Sequence, residues 1–203
     1  MIKPLIGNDG NPSVASLALT DYLKPLLADS RNLQEVSIQL PFRLPGRLGR
    51  VAALNRAIVV MSVSAWEAYV EELVRESLNA LRPPIPPLGL WPALNASIRG
   101  QLGRFNNPNT ENVRMLLSDA IGLANISASW TWQNHTSAQT IQRLRVVMDL
   151  RHQIAHGVKP RPVVATSYAS QLPDFLLRLG RCTDRAVQDH LVEVLGVANP
   201  WPL

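Results

Sequence analysis

Residues 48–81 carry a helical pattern with no breaker, and its first half, AIVVMSVSAW (57–66), is apolar on nearly every side. The second half turns amphipathic, with Glu67, Glu71, Glu72, Arg75 and Glu76 supplying a polar face. A helix that is apolar all round has to be enclosed by other segments. The rest of the chain must therefore wrap a central helix. The apolar stretch is about half of the ~20 residues that a membrane crossing needs, so enclosure by protein is expected, with no membrane partner.

The remaining segments are also helical in pattern. Residues 13–31 read as a first helix, which Pro25 should break or kink. Pro41, Pro45 and Gly46 make 32–47 a connection. The run RPPIPPLGLWP (82–92) holds five prolines, so it should be extended and should end the long helix near Leu81. It opens a proline-rich insertion over 83–108, whose second part, 93–107, is weakly helical. Asn109 or Thr110 can cap a helix running to about Gly122. ASWTWQNH (128–135) is a loop with two tryptophans. Ser137 starts a helix that ends at Gly157, a residue suited to the left-handed C′ position. A last helical region spans about 167–195, interrupted or started at Pro173. No strand alternation is long enough to count, and no repeat is visible. The expected fold is all-α, a bundle of five to six helices in one domain over 1–203, with its core at about 48–196.

The single cysteine, Cys182, excludes an internal disulfide framework and a cysteine-rich zinc site. The N-terminal MIKPLIGNDGNP lacks the sustained apolar core of a secretory signal, which leads to an expected cytoplasmic location. Net charge is +5, and 17 of the 20 basic residues are arginine. Arginine's planar fork suits phosphate, although genomic base composition can produce the same bias. No acid occurs between Glu35 and Glu67, while Arg43, Arg47, Arg50 and Arg56 do. Around the 137–157 helix, Arg143, Arg145, Arg151, Lys159 and Arg161 face one acid, Asp149. These are mild basic patches and not a nucleic-acid tail.

On a helical wheel, Leu144, Val147, Met148, Leu150, Ile154 and Ala155 form one stripe, and Arg151 falls almost on its midline. His152 and His156, at i and i+4, lie together on its edge. A guanidinium left unpaired in an apolar contact costs several kcal/mol. Arg151 therefore either pairs with an acid, for which Glu67 is the candidate, or opens into a groove where phosphate brings the charge. A plain Arg–Glu bridge without chemistry satisfies the same wheel. The two histidines add a proton donor beside the arginine, at a helix end that favours positive charge. As a metal pair they lack an evident third ligand.

Arg151-His152-x-x-x-His156 resembles the R-polar-x-x-x-H motif of HEPN ribonucleases, and the flanking DLRHQIAHG is similar to the family's usual LRNxIAHG. NRAIVVMSVSAWEAYVEELV (55–74) resembles the helix signature of the RiboL-PSP-type subgroup, and RAVQDHLVEVLG (185–196) resembles its last helix. The resemblance covers about 48–196, with the proline-rich and double-tryptophan stretches as poorly matched insertions. It implies a metal-independent endoribonuclease with no cofactor, in which two chains pack motif helices across a two-fold axis into a composite cleft. Arg151 would then bind and polarise the scissile phosphate, and His156 would act as general base or acid. His152 would tune or orient them, where the family more often has Asn or Asp. Glu67 matches the subgroup's helix glutamate and would orient Arg151 or assist proton transfer. Arg145, Lys159 and Arg161 are candidate substrate contacts.

The resemblance points to RNA as substrate, in a toxin or antiviral-defence effector with an antitoxin protein as a further candidate partner. The alternative is a catalytically silent HEPN module that binds RNA, nucleotide or a partner protein. Other chemistry lacks a footing, since no phosphate-cradling Gly-rich loop or nucleophile–base motif is present. His135 and His190 read as surface polar residues. Trp130 and Trp132 read as packing groups rather than base-stacking ones, and Cys182 as an inert packing residue.

Overall fold

The computed structural model describes residues 14–84, 89–158, 160 and 163–201. Among these it contains six α-helices and no strand: α1 (Lys24–Gln39), α2 (Arg47–Ala80), α3 (Leu90–Leu102), α4 (Thr110–Ile121), α5 (Ser137–Ala155) and α6 (Thr166–Glu193). A π-helical turn, Ala18–Leu23, leads into α1, and a 3-10 turn, Ile126–Ser129, lies between α4 and α5. The all-α bundle expected from periodicity is the fold observed.

α2 is the axis of this bundle, and α1, α4, α5 and α6 all pack on it. Ile58, Val59, Val63, Trp66, Tyr69, Val70 and Leu73 are fully buried along its length. Some of its polar atoms tie the layers together. Tyr69 donates from its hydroxyl to the Gly180 carbonyl on α6 at 2.9 Å. Asn55 donates to the Val164 carbonyl at 3.0 Å, just before α6 begins. Trp130 sits edge-on to Trp66, with ring centroids 6.4 Å apart, and donates to Thr183 Oγ1 at 3.0 Å. Each bond removes the penalty of burying an unpaired donor.

Several expectations are corrected. Pro25 does not break the first helix. The π turn ahead of it bonds the Lys24 N–H to the Leu19 carbonyl, and Pro25 stands where that wider turn passes into α1, so the change of helix type accommodates the missing N–H. The helix then runs on to Gln39, so the connection begins only at residue 40, and Leu23 and Leu27 join the core. The extended proline-rich run is shorter than expected, since Leu90, Trp91 and Pro92 lie in α3, with Pro92 again in a first turn. The part at 85–88 lies outside the described residues. α6 passes through Pro173 without stopping, because Leu172, Phe175 and Leu176 on its core face are buried and hold the helix together.

α2 also reaches the length and composition of a membrane-crossing helix, with mean hydropathy 1.3 over an 18-residue window, contrary to the expectation. In this fold its buried apolar side chains pack against the other helices of the bundle, while Leu48 and Met61 stay exposed.

The start of the first helix is held by two carboxylates. Ser16 Oγ accepts from the Leu19 N–H at 3.0 Å and donates to Asp184 on α6, whose other oxygen accepts the Ser16 N–H at 3.3 Å. Glu76 on α2 accepts the Ala18 N–H at 3.1 Å. Burial pushes the Glu76 carboxyl up to about 7 despite that bond, with Glu72 and Asp184 adding to the rise. Asp184 is also raised, by burial first, against the pull of Ser16 and Lys24. A carboxyl raised on folding holds its proton longer in the folded state than in the unfolded one. Stability is then fullest below the usual carboxylate range and falls as pH rises towards 7. Glu76→Gln keeps the acceptor for Ala18 and removes this titration. The expected result is a urea midpoint that falls less between pH 5 and 8 than in wild type. Parallel falls in the two proteins would disprove the assignment.

Candidate active site

α5 is fixed at both ends by its own sequence. At the start, Thr136 and Gln139 form a reciprocal capping box. At the end, the Gly157 N–H bonds the Ile154 carbonyl at 3.1 Å and the Val158 N–H bonds the Gln153 carbonyl at 2.9 Å. That Schellman arrangement needs a left-handed residue, and Gly157 supplies it with φ +73°. His156 is thereby the last residue before the turn, one helical turn beyond His152. The two imidazoles meet with ring centroids 4.3 Å apart and planes at 53°. Both are exposed.

Arg151 lies beside them, its NH2 3.9 Å from Glu67 Oε2 on α2. The side chains are 30% and 22% exposed, and the separation exceeds a hydrogen bond. Glu67 Oε2 is itself buried with no hydrogen-bond partner among the described residues. Burial raises the Glu67 carboxyl above its ordinary range, Arg151 pulls it down, and Glu71 adds to the rise. The two groups thus attract at contact range while neither is saturated. Both of the roles left open for Arg151 are present at once: an acid nearby and a cleft in front.

That cleft has a volume of about 810 Å³. One wall is α5, from Ile141 and Met148 at the apolar base to Arg145, Asp149, Arg151, His152 and His156. The other is the α3–α4 connection, with Asn106, Asn107 and Asn109, followed by Thr110 and Glu111 at the start of α4. The connection is anchored from behind, where the Trp66 indole N–H donates to the buried Pro108 carbonyl at 2.9 Å. Trp66 and Glu67 are consecutive on α2, so one turn of the central helix holds both walls. Among the described residues no group of three His, Cys, Asp or Glu side chains comes together as a metal cluster.

The structure brings Arg151, His152, His156 and Arg145 to one cleft and sets Glu67 behind Arg151. Lys159 and Arg161 lie outside the described residues. Trp130 is fully buried, and Trp132 is half-buried, stacked on His135 at 5.1 Å and against Phe175 at 5.9 Å. Both serve packing. His190 is not a plain surface residue: its Nε2 lies 2.8 Å from the Ile121 carbonyl and ties α6 to the end of α4. Cys182 is half-buried, 3.5 Å from the Thr131 carbonyl. Sequence reasoning missed the asparagine wall, which fell inside the stretch read as insertion and weak helix. The available signal was Asn-Asn-Pro-Asn directly before a capped helix, a dense amide run with no charge.

The two α2 residues at the site should separate in their effects. Trp66→Phe leaves the Pro108 carbonyl buried without its donor, which costs about 1–3 kcal/mol from that group alone. Glu67→Gln breaks only a long, partly exposed ion pair and should stay within about 1 kcal/mol of wild type. Urea titration of both variants tests the contrast, and equal losses would contradict it.

A family model described as RiboL-PSP-HEPN matches residues 27–189. The match starts in α1, ahead of the segments that carry the motif resemblance, and takes in the proline-rich and double-tryptophan stretches. No curated protein and no solved structure gives a significant match. With that match over most of its length and its helices gathered around a long central one, the chain belongs to the RiboL-PSP-type HEPN family.

Proposed function

We propose that this protein is an endoribonuclease that cuts RNA by proton transfer and charge stabilisation, without a metal ion. The reading gives it a cytoplasmic role as an effector of the toxin or antiviral-defence kind. The observation that carries it is Arg151, loosely paired with Glu67, opening beside the His152–His156 pair into a cleft of about 810 Å³. Family membership supports it, since HEPN domains are often ribonucleases.

The residues suit cleavage through the ribose 2′-hydroxyl. Arg151 would hold the scissile phosphate by its planar fork and offset the charge that builds on its oxygens. His156 would take the 2′-proton or supply one to the departing 5′-oxygen. The 2′-oxygen bonds to phosphorus as the 5′-oxygen leaves, which gives a cyclic phosphate and a 5′-hydroxyl end. His152, in ring contact with His156, would orient it, and Glu67 would hold Arg151 until phosphate arrives. Arg145 would contact the strand further along. None of these steps calls on a cation.

Purified protein is expected to cut single-stranded RNA in excess chelator and to spare DNA, which lacks the 2′-hydroxyl. General acid–base catalysis is typically worth about 10²–10⁴-fold, so His156→Ala should lose most of the rate with the helical fold intact. Arg151→Ala should lose rate and RNA affinity together, and His152→Ala should lose less. Wild-type rates in both Arg151→Ala and His156→Ala would defeat the assignment. RNA binding by wild type with no cutting would favour the silent binding module instead.

The same reading calls for a homodimer through the motif helices. Val146 on α5, with Val158 and Val163 after it, is exposed apolar surface on and just beyond the motif helix. A two-fold contact there would cover it and bring two motif helices together, each chain giving the same patch. Light scattering at micromolar concentration should return the mass of two chains. A strict monomer with full activity would disprove this.

A further inference from the structure

The cleft wall opposite α5 is mostly neutral and polar, with Glu111 its one acid, and the reaction proposed above makes no use of it. Asn106 and Asn107 line that wall and are exposed. The loop that carries them is fixed from behind. The Pro108 carbonyl takes the Trp66 indole N–H, and the Asn107 carbonyl takes both the Asn112 side-chain amide at 2.7 Å and the Asn109 N–H at 2.8 Å. Asn109 Oδ1 caps α4 by accepting the Asn112 N–H at 2.8 Å. Those bonds use the backbone of Asn107 and the side chains of Asn109 and Asn112. Among the described residues, the side-chain amides of Asn106 and Asn107 have no hydrogen-bond partner. Glu111, the acid on this wall, is engaged by Arg114 at 2.6 Å. Two uncommitted amides therefore sit on a braced loop, facing a helix with a phosphate-sized cation.

We propose that Asn106 and Asn107 read an unpaired base next to the phosphate held at Arg151, and that adenine is the base they fit best. This rests on RNA being what enters the cleft. An amide presents a donor and an acceptor side by side. Asparagine is the usual bidentate partner of adenine, through N6–H and N7, and adenine's N6–H with N1 offers the same donor–acceptor pair on its Watson–Crick edge. In a duplex the Watson–Crick edges are occupied and the A-form major groove is too narrow for side chains, so the strand must be single here. A cleft of about 810 Å³ lies in the small-ligand range of about 300–1,000 Å³, which suits a nucleotide or two and not a helix.

The test compares kcat/KM on two matched single-stranded oligonucleotides, one all uridine and one carrying a single adenosine. Wild type is expected to favour the second and to cut beside the adenosine. Asn106→Ala/Asn107→Ala should lose about tenfold of that preference, the scale of one good amide–base pair. Asn106→Asp/Asn107→Asp, which keeps an acceptor and loses the donor, should fall in the same direction. Circular dichroism of each variant checks that the helices are retained. No adenosine preference in wild type, or an equal preference in the variants, overturns the proposal even while cleavage proceeds. If wild type cuts neither strand, the nuclease reading fails by itself, and fluorescence anisotropy then measures binding of the same two oligonucleotides. An adenosine preference in binding that the variants lose supports the amide wall, and equal affinities overturn it.

Discussion

A helix with apolar side chains on nearly every side must be covered on nearly every side, and α2 imposes that requirement on the whole chain. Four helices cover much of it and leave Leu48 and Met61 exposed, and the places where they meet α2 are fixed by its few polar atoms rather than by its apolar ones. Tyr69 settles the height of α6, Asn55 settles where α6 begins, and Trp66 settles the α3–α4 connection. Apolar contact gives the larger share of the burial free energy but is non-directional. The buried hydrogen bonds choose one arrangement among those that bury a similar area. Glu67, the next residue after Trp66, inherits this precision, because a side chain on a helix locked by its neighbour has little freedom to drift.

That adjacency explains why the cleft lies where it does. α5 must pack on α2 through Leu144, Val147 and Met148, all buried, and the same register carries Arg151 to Glu67 one or two turns later. The α3–α4 connection is tied to α2 one residue earlier. The two walls therefore share a hinge point in the core, and their separation is set by the bulk of the central helix.

Much of this was readable from the sequence because it depends on local rules. Helix ends at Asn109, Thr136 and Gly157 follow from capping chemistry, and the central helix follows from unbroken periodicity. The Arg151–Glu67 approach was readable too, since an arginine on an apolar stripe must find a carboxylate or solvent. What escaped reading depends on tertiary context. Pro25 and Pro173 look like breakers, yet a π turn absorbs one and core packing overrides the other. Asn106 and Asn107 carry no periodic pattern, and only the fold reveals that their loop stands across from α5. His190 has no local signal for its bond to the Ile121 carbonyl, since its partner lies on another helix.

The looseness of the Arg151–Glu67 pair is the last step that connects the structure to the proposed chemistry. A fully buried, hydrogen-bonded Arg–Glu bridge would resist exchange, because separating it strands two charges and costs about 3–5 kcal/mol. At 3.9 Å, with both side chains partly exposed, the pair is nearer to a surface ion pair, worth about 0–1 kcal/mol. A phosphate that accepts charge-assisted hydrogen bonds from the same guanidinium gains about 1.5–3 kcal/mol for such a contact. The balance favours the phosphate. Burial raises the Glu67 carboxyl, so the group left behind can take a proton rather than stay as an isolated charge. In the proposed chemistry the carboxylate would hold Arg151 in place until phosphate arrives and would let it turn to substrate at little cost.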